Sequence, residues 1–332
     1  MKKYYITFKN LSKIFELFSF KFFLKQILFK SNFNDFLEFI FKFNRRLLHN
    51  WLKMNDSLFK FNVGSYKPIS LSASHDKTVW QFWDSGYMNA PPIVKACIQS
   101  VEKNSTGYNH VILDNSTIPN YLKLPNHILE KYEKGLINKT HYSEIIRFAL
   151  LAEYGGIWLD ATVFLSDQIS NILHKDSDYF FVKKPENSIF GPLEMKHAYW
   201  ILASPPNSEY FSKLKSFIHN YWLTSNRQID YFISCIAMKI LLDSDFLSPS
   251  IKFLINESAC HLNYLDCHEL QFSLTQKFSQ DKLTKIMQNS SVHKLTFYFP
   301  PGTSREFPER GGDFLNWVLG DSDDLSNQLL IR

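Results

Sequence analysis

The sequence predicts an α/β fold built around a parallel sheet, and two stretches of the chain carry this prediction. Residues 77–114 have the pattern of a strand, a helix and a second strand, and residues 143–160 have that of a helix, a Gly-Gly break and a short buried strand. A strand–helix–strand order is typical of the crossover unit that joins parallel strands. At 332 residues, the chain is long enough to bury a large core, and one large domain with a smaller appendage fits this length better than several small domains.

The first crossover unit has a clear sequence pattern. The run KTVWQFW at 77–83 is rich in β-branched and aromatic residues, and an Asp-Ser-Gly turn at 84–86 closes it. Two prolines then precede residues 93–103, whose apolar positions follow a helical spacing. The run HVILD at 110–114 predicts a second strand that ends in an acid.

The next stretch predicts a helix that leads into a buried strand. Thr140 is a suitable N-cap, an apolar repeat follows over 143–153, and Gly155 suits the left-handed conformation that often ends a helix. The run IWL at 157–159 is then a strand, and Asp160 lies just past its carboxyl end. Because ligands of open α/β sheets bind at the carboxyl ends of strands, we expect Asp160 to face a ligand.

The same helix carries two charged residues that can share one face. Glu144 and Arg147 are three positions apart, and Tyr154 is seven positions beyond Arg147, so all three can lie on a face that runs toward the Gly-Gly turn. The spacing also fits an ordinary ion pair at the protein surface, which contributes little to stability. Both interpretations stay open on the spacing alone.

The amino-terminal segment differs from the rest of the chain in charge and composition. Residues 1–60 carry twelve Lys or Arg against four Asp or Glu, and they hold 13 of the 31 Phe. We therefore predict a basic, aromatic helical extension over 1–60, a polar linker over 61–76 and the main domain over 77–332. Helices of this composition can lie on an anionic membrane surface, and they can equally pack a Phe face on the domain.

Charge pattern and cysteine usage exclude several classes of protein. The basic residues alternate with bulky apolar ones and form no recognised binding motif, so no nucleic-acid partner is expected. They also interrupt every apolar run before it reaches the roughly 18 residues of a membrane-spanning helix. Four cysteines are too few and too scattered for a disulfide framework, and no secretory cleavage pattern follows the basic start. We expect the protein in a reducing cytoplasm.

Several of these stretches together resemble a known family. The runs SEIIR at 143–147 and YGGIWLD at 154–160 resemble the sugar-binding region of glycosyltransferases that carry a DXD motif. With WQFW at 80–83 and APP at 90–92 upstream, and DAT at 160–162 in place of the full motif, the sequence looks like the capsular polysaccharide synthesis family.

The resemblance is closest over residues 77–166 and does not extend into residues 1–60. It implies a GT-A-like fold, in which a Rossmann-type nucleotide-binding sheet is joined to an acceptor-side half, and it implies a nucleotide-sugar donor. Trp83 would stack on the base, and Asp160 would contact ribose or sugar hydroxyls. Carried over residue by residue, the predicted nucleotide-sugar site consists of Phe82, Trp83, Glu144, Arg147, Gly156 and Asp160.

The resemblance also implies a divalent metal, Mn²⁺ or Mg²⁺, held by Asp160, Thr162 and His293. Thr162 stands where the second acid of the motif would be, and a hydroxyl is a weaker ligand that brings no charge. The diphosphate leaving group still needs positive charge beside it. Either Asp160 seats a metal with help from elsewhere, or Arg147 and a lysine do part of the work.

The second half of the chain is expected to supply the acceptor side. Residues 187–222 contain a strand-like run, two prolines and a helix, and residues 229–242 form an apolar helix led by an acid. In retaining glycosyltransferases of this type an acid at this place lies near the anomeric carbon, so Asp230 is a candidate catalytic residue together with Glu144. The alternative is that Asp230 only caps the helix.

One further cluster, CHLNYLDCH at 260–268, contains two Cys-His pairs. Structural zinc sites space the ligands of each pair by two to four residues, which adjacent Cys and His do not match. We expect these residues to serve ordinary packing.

The sequence therefore predicts a glycosyltransferase that moves a hexose or related sugar to a growing surface polysaccharide of the capsule or lipopolysaccharide type, with retention of configuration. A lipid-linked or oligosaccharide acceptor is expected, and the extension would hold the enzyme at the inner face of the cell membrane. Two alternatives stay open. One is a non-catalytic glycan- or partner-binding module, and the other is a sugar-phosphate transferase, which would release a nucleoside monophosphate.

Overall fold

A computed structural model describes residues 50, 52, 55–60, 77–173, 179–185, 197–257, 262–297 and 314–320. The predicted linker over 61–76 and most of the predicted extension lie outside these residues. None of the helices in the described ranges is long and apolar enough to cross a membrane.

The described chain forms a central sheet, a two-stranded ribbon and the helices around them. The strands are β1 (Thr78–Phe82), β2 (Asn109–Leu113), β3 (Gly156–Leu159), β4 (Val163–Leu165), β5 (Phe180–Lys183), β6 (His197–Ser204) and β7 (Val292–Lys294). The helices are α1 (Pro92–Lys103), α2 (Asn126–Glu133), α3 (Lys139–Glu153), α4 (Ile169–Ile172), α5 (Glu209–Thr224), α6 (Ile233–Asp243), α7 (Pro249–Glu257), α8 (Asp266–Ser273), α9 (Gln280–Asn289) and α10 (Phe314–Leu319).

The central sheet has the strand order β2-β1-β3-β6-β5. Strand β1 pairs in parallel with both β2 and β3, whereas β6 pairs antiparallel with β3 and with β5. The predicted parallel crossover and the α/β class are therefore confirmed. The strand-like run that we expected in the acceptor-side half is β6, which lies in the same sheet as β1, β2 and β3.

Both faces of the sheet are covered, so its central strands are buried along their whole length. Trp80 and Trp158 face the core that contains residues of α3 and α5, whereas Val79 and Ile157 face a second core on the other side. Each large side chain that is fully buried in this way stabilises the fold by about 2–3 kcal/mol. The alternation fixes which of the two cores each residue of these strands joins.

The last residues of the predicted extension pack on the main domain. Leu52 and Phe59 belong to the largest core cluster, and the ring of Phe59 stacks on that of Phe217 in α5 at 5.0 Å between centroids. The amide of Asn220 donates to the carbonyl oxygen of Leu58 at 3.1 Å. These contacts agree with the packing interpretation for residues 52–59, while the boundary at residue 60 stays a prediction.

Helix α3 is held at both ends by local contacts. Its N-cap is Asn138, whose side chain accepts from the backbone N–H of His141, so the prediction of Thr140 as the cap was wrong by two residues. Tyr154 ends the helix, and Gly155 follows with φ of 66°. A Cβ on Gly155 would lie 2.4 Å from the backbone nitrogen of Pro206, so the glycine is required by backbone packing as well as by its conformation.

Two short strands outside the sheet form the β4–β7 ribbon. In its antiparallel register Val163 faces Lys294 and Phe164 faces His293. The N–H of Leu295 donates to the carbonyl oxygen of Thr162 at 2.8 Å, which extends the ribbon by one bond. The ribbon thus brings the chain near residue 294 beside the segment that follows β3.

Helix α6 begins at Ile233, and its N-cap is Phe232, without a side-chain capping bond. Asp230 lies outside the helix, where its Oδ1 accepts from the N–H of Phe232 at 2.7 Å. The capping alternative for Asp230 is therefore wrong, because the carboxylate closes a local turn before the helix begins.

Candidate active site

A cavity of about 520 Å³ lies at the carboxyl ends of β1 and β3. Its volume is within the range of small-molecule sites. The parallel half of the sheet and α3 supply one part of its lining, namely Phe82, Trp83, Asp84, Lys139, Thr140, Ser143, Arg147, Asp160, Ala161 and Thr162. The later part of the chain supplies Tyr199, Trp200, Tyr231, Phe232, Tyr264, His268, Lys294 and Phe297.

Asp160 is the centre of a charged cluster in this cavity. Its Oδ1 accepts from Nη2 of Arg147 at 2.6 Å and from Nε1 of Trp158 at 2.9 Å. Its Oδ2 accepts from Nζ of Lys294 at 2.8 Å, and the same ammonium donates to Oγ1 of Thr162 at 2.6 Å. With one carboxylate between two cations, this cluster carries a formal charge of about +1.

The helix–turn–strand geometry explains how Arg147 reaches Asp160. Arg147 precedes Gly155 by eight residues of helix, or about 12 Å at the helical rise. Asp160 follows Gly155 by five extended residues, or about 16 Å at the rise of a strand. The two residues therefore reach similar heights above the turn, and the long side chain of Arg147 closes the remaining gap.

Arg147 is a desolvated cation with hydrogen-bonding capacity to spare. The residue is 3% exposed, and its guanidinium carbon lies 5.0 Å from the ring centre of Trp158 and 5.3 Å from that of Tyr199. Its Nε and Nη1 atoms have no hydrogen-bond partner among the described residues. Buried donors without partners cost free energy, so they favour an anionic ligand that satisfies them.

The electrostatics keep Asp160 ionised. Burial alone would raise the pKa of this carboxyl, but the charges of Lys294 and Arg147, with hydrogen bonds from Lys294 and Trp158, lower the pKa to about 2. At neutral pH the carboxylate is therefore charged and holds both cations in place.

These residues do not fit a divalent metal. Mg²⁺ and Mn²⁺ prefer about six oxygen ligands, with carboxylates to supply negative charge. Here the Lys294 ammonium bridges Asp160 and Thr162, the residues that were predicted as metal ligands. Among the residues that the structure describes, no three Asp, Glu, His or Cys side chains come close enough to share an ion.

Trp83 lies at the side of the cavity that β1 forms. Its ring meets that of Phe297 edge to face, with 5.1 Å between centroids. At the rim, Nζ of Lys139 lies 2.5 Å from Oδ2 of Asp84. Phe82 and Trp83 thus both line the cavity, and their role as a base-binding pair stays a prediction.

Glu144 does not line the cavity. The residue is 1% exposed; its Oε2 accepts from the hydroxyl of Ser234 at 2.6 Å and lies 2.8 Å from Nδ1 of His141. The surface-pair alternative for Glu144 and Arg147 is therefore wrong, since both side chains are buried. Through these contacts Glu144 joins α3 to α6. It lies one helical turn away from Arg147 and the charged cluster.

His293 also lies away from the cavity. It is fully buried, and its Nε2 lies 3.3 Å from the hydroxyl of Ser166, while Nδ1 has no partner among the described residues. Because side chains alternate along a strand, the neighbouring Lys294 is the one that reaches Asp160. The predicted metal ligand and the observed cation are thus one residue apart.

Two further predicted residues are not among those that line the cavity. Gly156 begins β3 at the end of the strand opposite Asp160, and its φ of 85° belongs to the turn after α3. Asp230 immediately precedes Tyr231 and Phe232, which do line the cavity. Its predicted catalytic role stays a prediction.

The sequence did not indicate Lys294 or the aromatic wall of the cavity. Tyr199 and Trp200 come from β6, and Tyr264 and His268 come from the segment at α8. Nδ1 of His268 lies 2.8 Å from the carbonyl oxygen of Tyr264. Cys260 and His261, the first of the two Cys-His pairs, lie outside the described residues.

Comparison with known proteins identifies a family over most of the chain. The profile of the family described as capsular polysaccharide synthesis protein matches residues 36–307. The match begins inside the predicted extension, where we recognised no resemblance.

Among curated proteins, an O-glycosyltransferase braB of Annulohypoxylon truncatum is 31% identical over 113 residues, which are 29% of this chain and 25% of that protein. An O-glycosyltransferase PaGT of Phomopsis amygdali is 32% identical over 108 residues, which are 29% of this chain and 26% of that protein. The chain thus matches about a quarter of the length of these relatives.

Among solved structures, one described as a galactosyltransferase LgtC in complex with donor and acceptor sugar analogues covers 74% of this chain and 96% of that chain. Its sequence identity is 12% and its TM-score is 0.36.

Proposed function

Because this chain belongs to the capsular polysaccharide synthesis protein family, we propose that it is a glycosyltransferase whose nucleotide-sugar donor binds in the cavity at the carboxyl ends of β1 and β3. The matched relatives that carry a glycosyltransferase description support the same class of reaction.

The observation that carries this proposal is the cluster of Arg147, Asp160 and Lys294. Its net positive charge suits the diphosphate of a nucleotide sugar, and so do the guanidinium donors of Arg147 that have no partner in the described part of the chain. Asp160 accepts three hydrogen bonds of the roughly four that a carboxylate can take, so capacity remains for a sugar or ribose hydroxyl.

The base would lie against the aromatic side of the cavity. Trp83 is half-buried and offers a ring for stacking, and Phe297 beside it is exposed. The acceptor would approach from the opposite wall, where Tyr199, Trp200 and Tyr231 present aromatic surface. Such surfaces bind the apolar faces of sugar rings as well as flat bases.

In the transfer, the bond between the anomeric carbon and the diphosphate oxygen breaks, and its electron pair stays with the diphosphate. A new bond forms between the anomeric carbon and the oxygen of an acceptor hydroxyl, whose proton is released to solvent. Arg147 holds and neutralises the departing diphosphate through charge-assisted hydrogen bonds, which grow stronger as negative charge develops. Asp160 keeps the guanidinium in position throughout.

The family resemblance and the composition of residues 1–60 support the finer features that we propose. The acceptor is a growing surface polysaccharide of the capsule or lipopolysaccharide type, lipid-linked or free as an oligosaccharide. The transfer proceeds with retention, with Asp230 near the anomeric carbon. The basic, aromatic amino terminus holds the enzyme on the anionic inner face of the cell membrane.

The test is to incubate the full chain separately with UDP-, GDP- and CDP-sugars and to identify the released nucleotide. Release of a nucleoside diphosphate, by transfer or by slow hydrolysis, supports the proposal. Release of a nucleoside monophosphate would instead identify a sugar-phosphate transferase. Binding of a donor without any turnover, with and without added oligosaccharide, would identify a non-catalytic binding module.

A further inference from the structure

The position of Lys294 carries an inference that deepens the proposed function and rests on it. The Lys294 ammonium lies 2.8 Å from Oδ2 of Asp160 and 2.6 Å from Oγ1 of Thr162. It therefore stands between two of the three side chains that were expected to hold a metal. We propose that Lys294 is the built-in cation of this site, and that the protein binds and neutralises the donor diphosphate without a divalent metal.

The backbone around Lys294 fixes the ammonium in place. Lys294 is the last residue of β7 and pairs with Val163 of β4, and the next residue, Leu295, donates its N–H to the carbonyl oxygen of Thr162. The strand is thus bonded to the segment after β3 on both sides of the lysine. A charge that is held in this way needs little reorganisation when the leaving group becomes more negative.

Accessibility and chemistry also suit Lys294 to this role. Its side chain is 19% exposed and lines the cavity, so the ammonium can approach a ligand while it stays bonded to Asp160. An ammonium is a compact point charge with three donors, two of which are used here. The third donor is available for a phosphate oxygen.

Arg147 and Lys294 bind opposite oxygens of the same carboxylate. Asp160 therefore keeps two like charges within reach of one ligand, which their mutual repulsion would otherwise oppose. For a bound diphosphate, this pair supplies two single positive charges at fixed positions in place of one divalent ion. In the step, the electron pair of the broken bond remains on the diphosphate, beside the Lys294 ammonium.

The alternative is that Lys294 serves only as a structural counter-ion of Asp160. A binding experiment separates the two roles. If Lys294 is only structural, the affinity for diphosphate depends on a metal ion. The probes are UDP, GDP, ADP and CDP, each titrated into the full chain by calorimetry, once with EDTA and once with Mn²⁺.

For the parent protein we expect at least one nucleoside diphosphate to bind with a dissociation constant that agrees within threefold between EDTA and Mn²⁺. Lys294→Met should weaken this binding at least tenfold in EDTA, and Lys294→Arg should retain most of it. Lys285→Met is the matched control, since it removes the same charge from the exposed face of α9 and should leave the affinity unchanged.

A double variant provides a gain-of-function arm. Thr162→Asp combined with Lys294→Ser supplies a second carboxylate and removes the ammonium, so Mn²⁺ should now improve diphosphate binding at least tenfold over EDTA. Circular dichroism and thermal melting verify that each variant is folded.

Two results would overturn the inference while leaving the proposed function intact. One result is that the parent protein binds nucleoside diphosphate with Mn²⁺ but not with EDTA. This comparison needs no variant. The other is folded Lys294→Met with the affinity of the parent in EDTA. Absence of binding by every nucleoside diphosphate in both conditions would overturn the proposed function itself and the inference with it.

Discussion

Nη2 of Arg147 lies 2.6 Å from Oδ1 of Asp160, so the middle of helix α3 is tied to the residue that follows strand β3. The pair is local in the chain, since thirteen residues separate its members. It is also asymmetric, because Arg147 is buried whereas the side chain of Asp160 is 21% exposed. Arg147 therefore depends on Asp160 for its charge balance more than the reverse.

Arg147→Ala is expected to lower donor turnover at least tenfold, because alanine cannot replace the charge-assisted hydrogen bonds to a diphosphate. Arg147→Lys should recover little, since it keeps the charge and loses both the planar fork and the stacking on Trp158 and Tyr199. Steady-state kinetics, with the donor that the nucleotide-release assay identifies, measure both variants. If both turn over donor like the parent and only melt earlier, the role of Arg147 is structural.

Asp160→Asn is expected to lower turnover by about two orders of magnitude, since an electrostatic contact in such a site is worth about 3 kcal/mol. It should also destabilise the fold by about 3 kcal/mol, because the buried Arg147 cation loses its counter-ion. Urea unfolding and turnover are measured on the same preparation. Asp114→Asn is the control at the end of the neighbouring strand β2, outside the cavity lining, and an equal loss of turnover there would refute a special role for Asp160.

Burial lowers the pKa of His293 to about 4, compared with about 6.5 in an unfolded chain. Between these values the unfolded chain binds a proton that the folded chain does not, so stability is lost as the pH falls from about 6.5 toward 4. At pH 5 the loss from this residue is about 2 kcal/mol relative to pH 7.

His293→Gln should remove that part of the pH dependence. Free energies of unfolding at pH 7 and pH 5 are compared for the parent and the variant, so that any constant cost of the substitution cancels. An unchanged difference between the two pH values would show that His293 titrates normally in the fold.

Gly155→Ala is expected to destabilise the fold strongly. The new Cβ meets the backbone of Pro205 and Pro206 at 2.4–2.6 Å, in addition to the strain of a left-handed φ. Gly107→Ala is a matched control, because Gly107 has φ of 82° and no atom lies within 4 Å of the position that a Cβ would occupy there. The control should cost only about 1–2 kcal/mol, the strain of the conformation. Equal melting temperatures for the two variants would contradict the packing argument.

The full chain is expected to co-sediment with vesicles that contain anionic lipid at low salt and to be released as salt screens the charges. Neutral vesicles serve as the control. A chain shortened to begin at residue 36, where the family match starts, should lose binding, because it lacks seven of the twelve basic residues of 1–60. Binding to neutral and anionic vesicles alike would exclude an electrostatic attachment.

The parts of the site that the sequence predicted are those that short-range patterns specify. The α3–turn–β3 segment is contiguous, so its apolar repeat, its glycines and the aspartate after the strand predicted the helix, the turn and the end of the strand. The family resemblance then assigned Arg147 and Asp160 to one site. The burial of Glu144 away from the cavity could not be predicted, because α3 is buried on nearly all sides and a pattern of apolar positions does not show which side faces a cavity.

Lys294 could not be predicted because it belongs to a three-residue strand whose partner is far away in the chain. Such a strand carries little periodicity, and its pairing with β4 depends on the tertiary fold. The expectation of His293 came from the family resemblance, and its neighbour Lys294 faces the cavity because successive side chains of a strand point to opposite faces. The pairing of β6 with β3 inside the central sheet escaped prediction for the same reason.

The β4–β7 ribbon also sets when the site can be completed during folding. Asp160 and Lys294 are 134 residues apart, and the chain must close this long loop before three paired residues on each strand stabilise the closure. The entropy of such a closure is lost before the contacts form, which makes long-range pairing a late and slow event. If the proposed function holds, the site therefore gains the Lys294 ammonium, and the part of its diphosphate affinity that depends on this charge, only when the second half of the domain has folded.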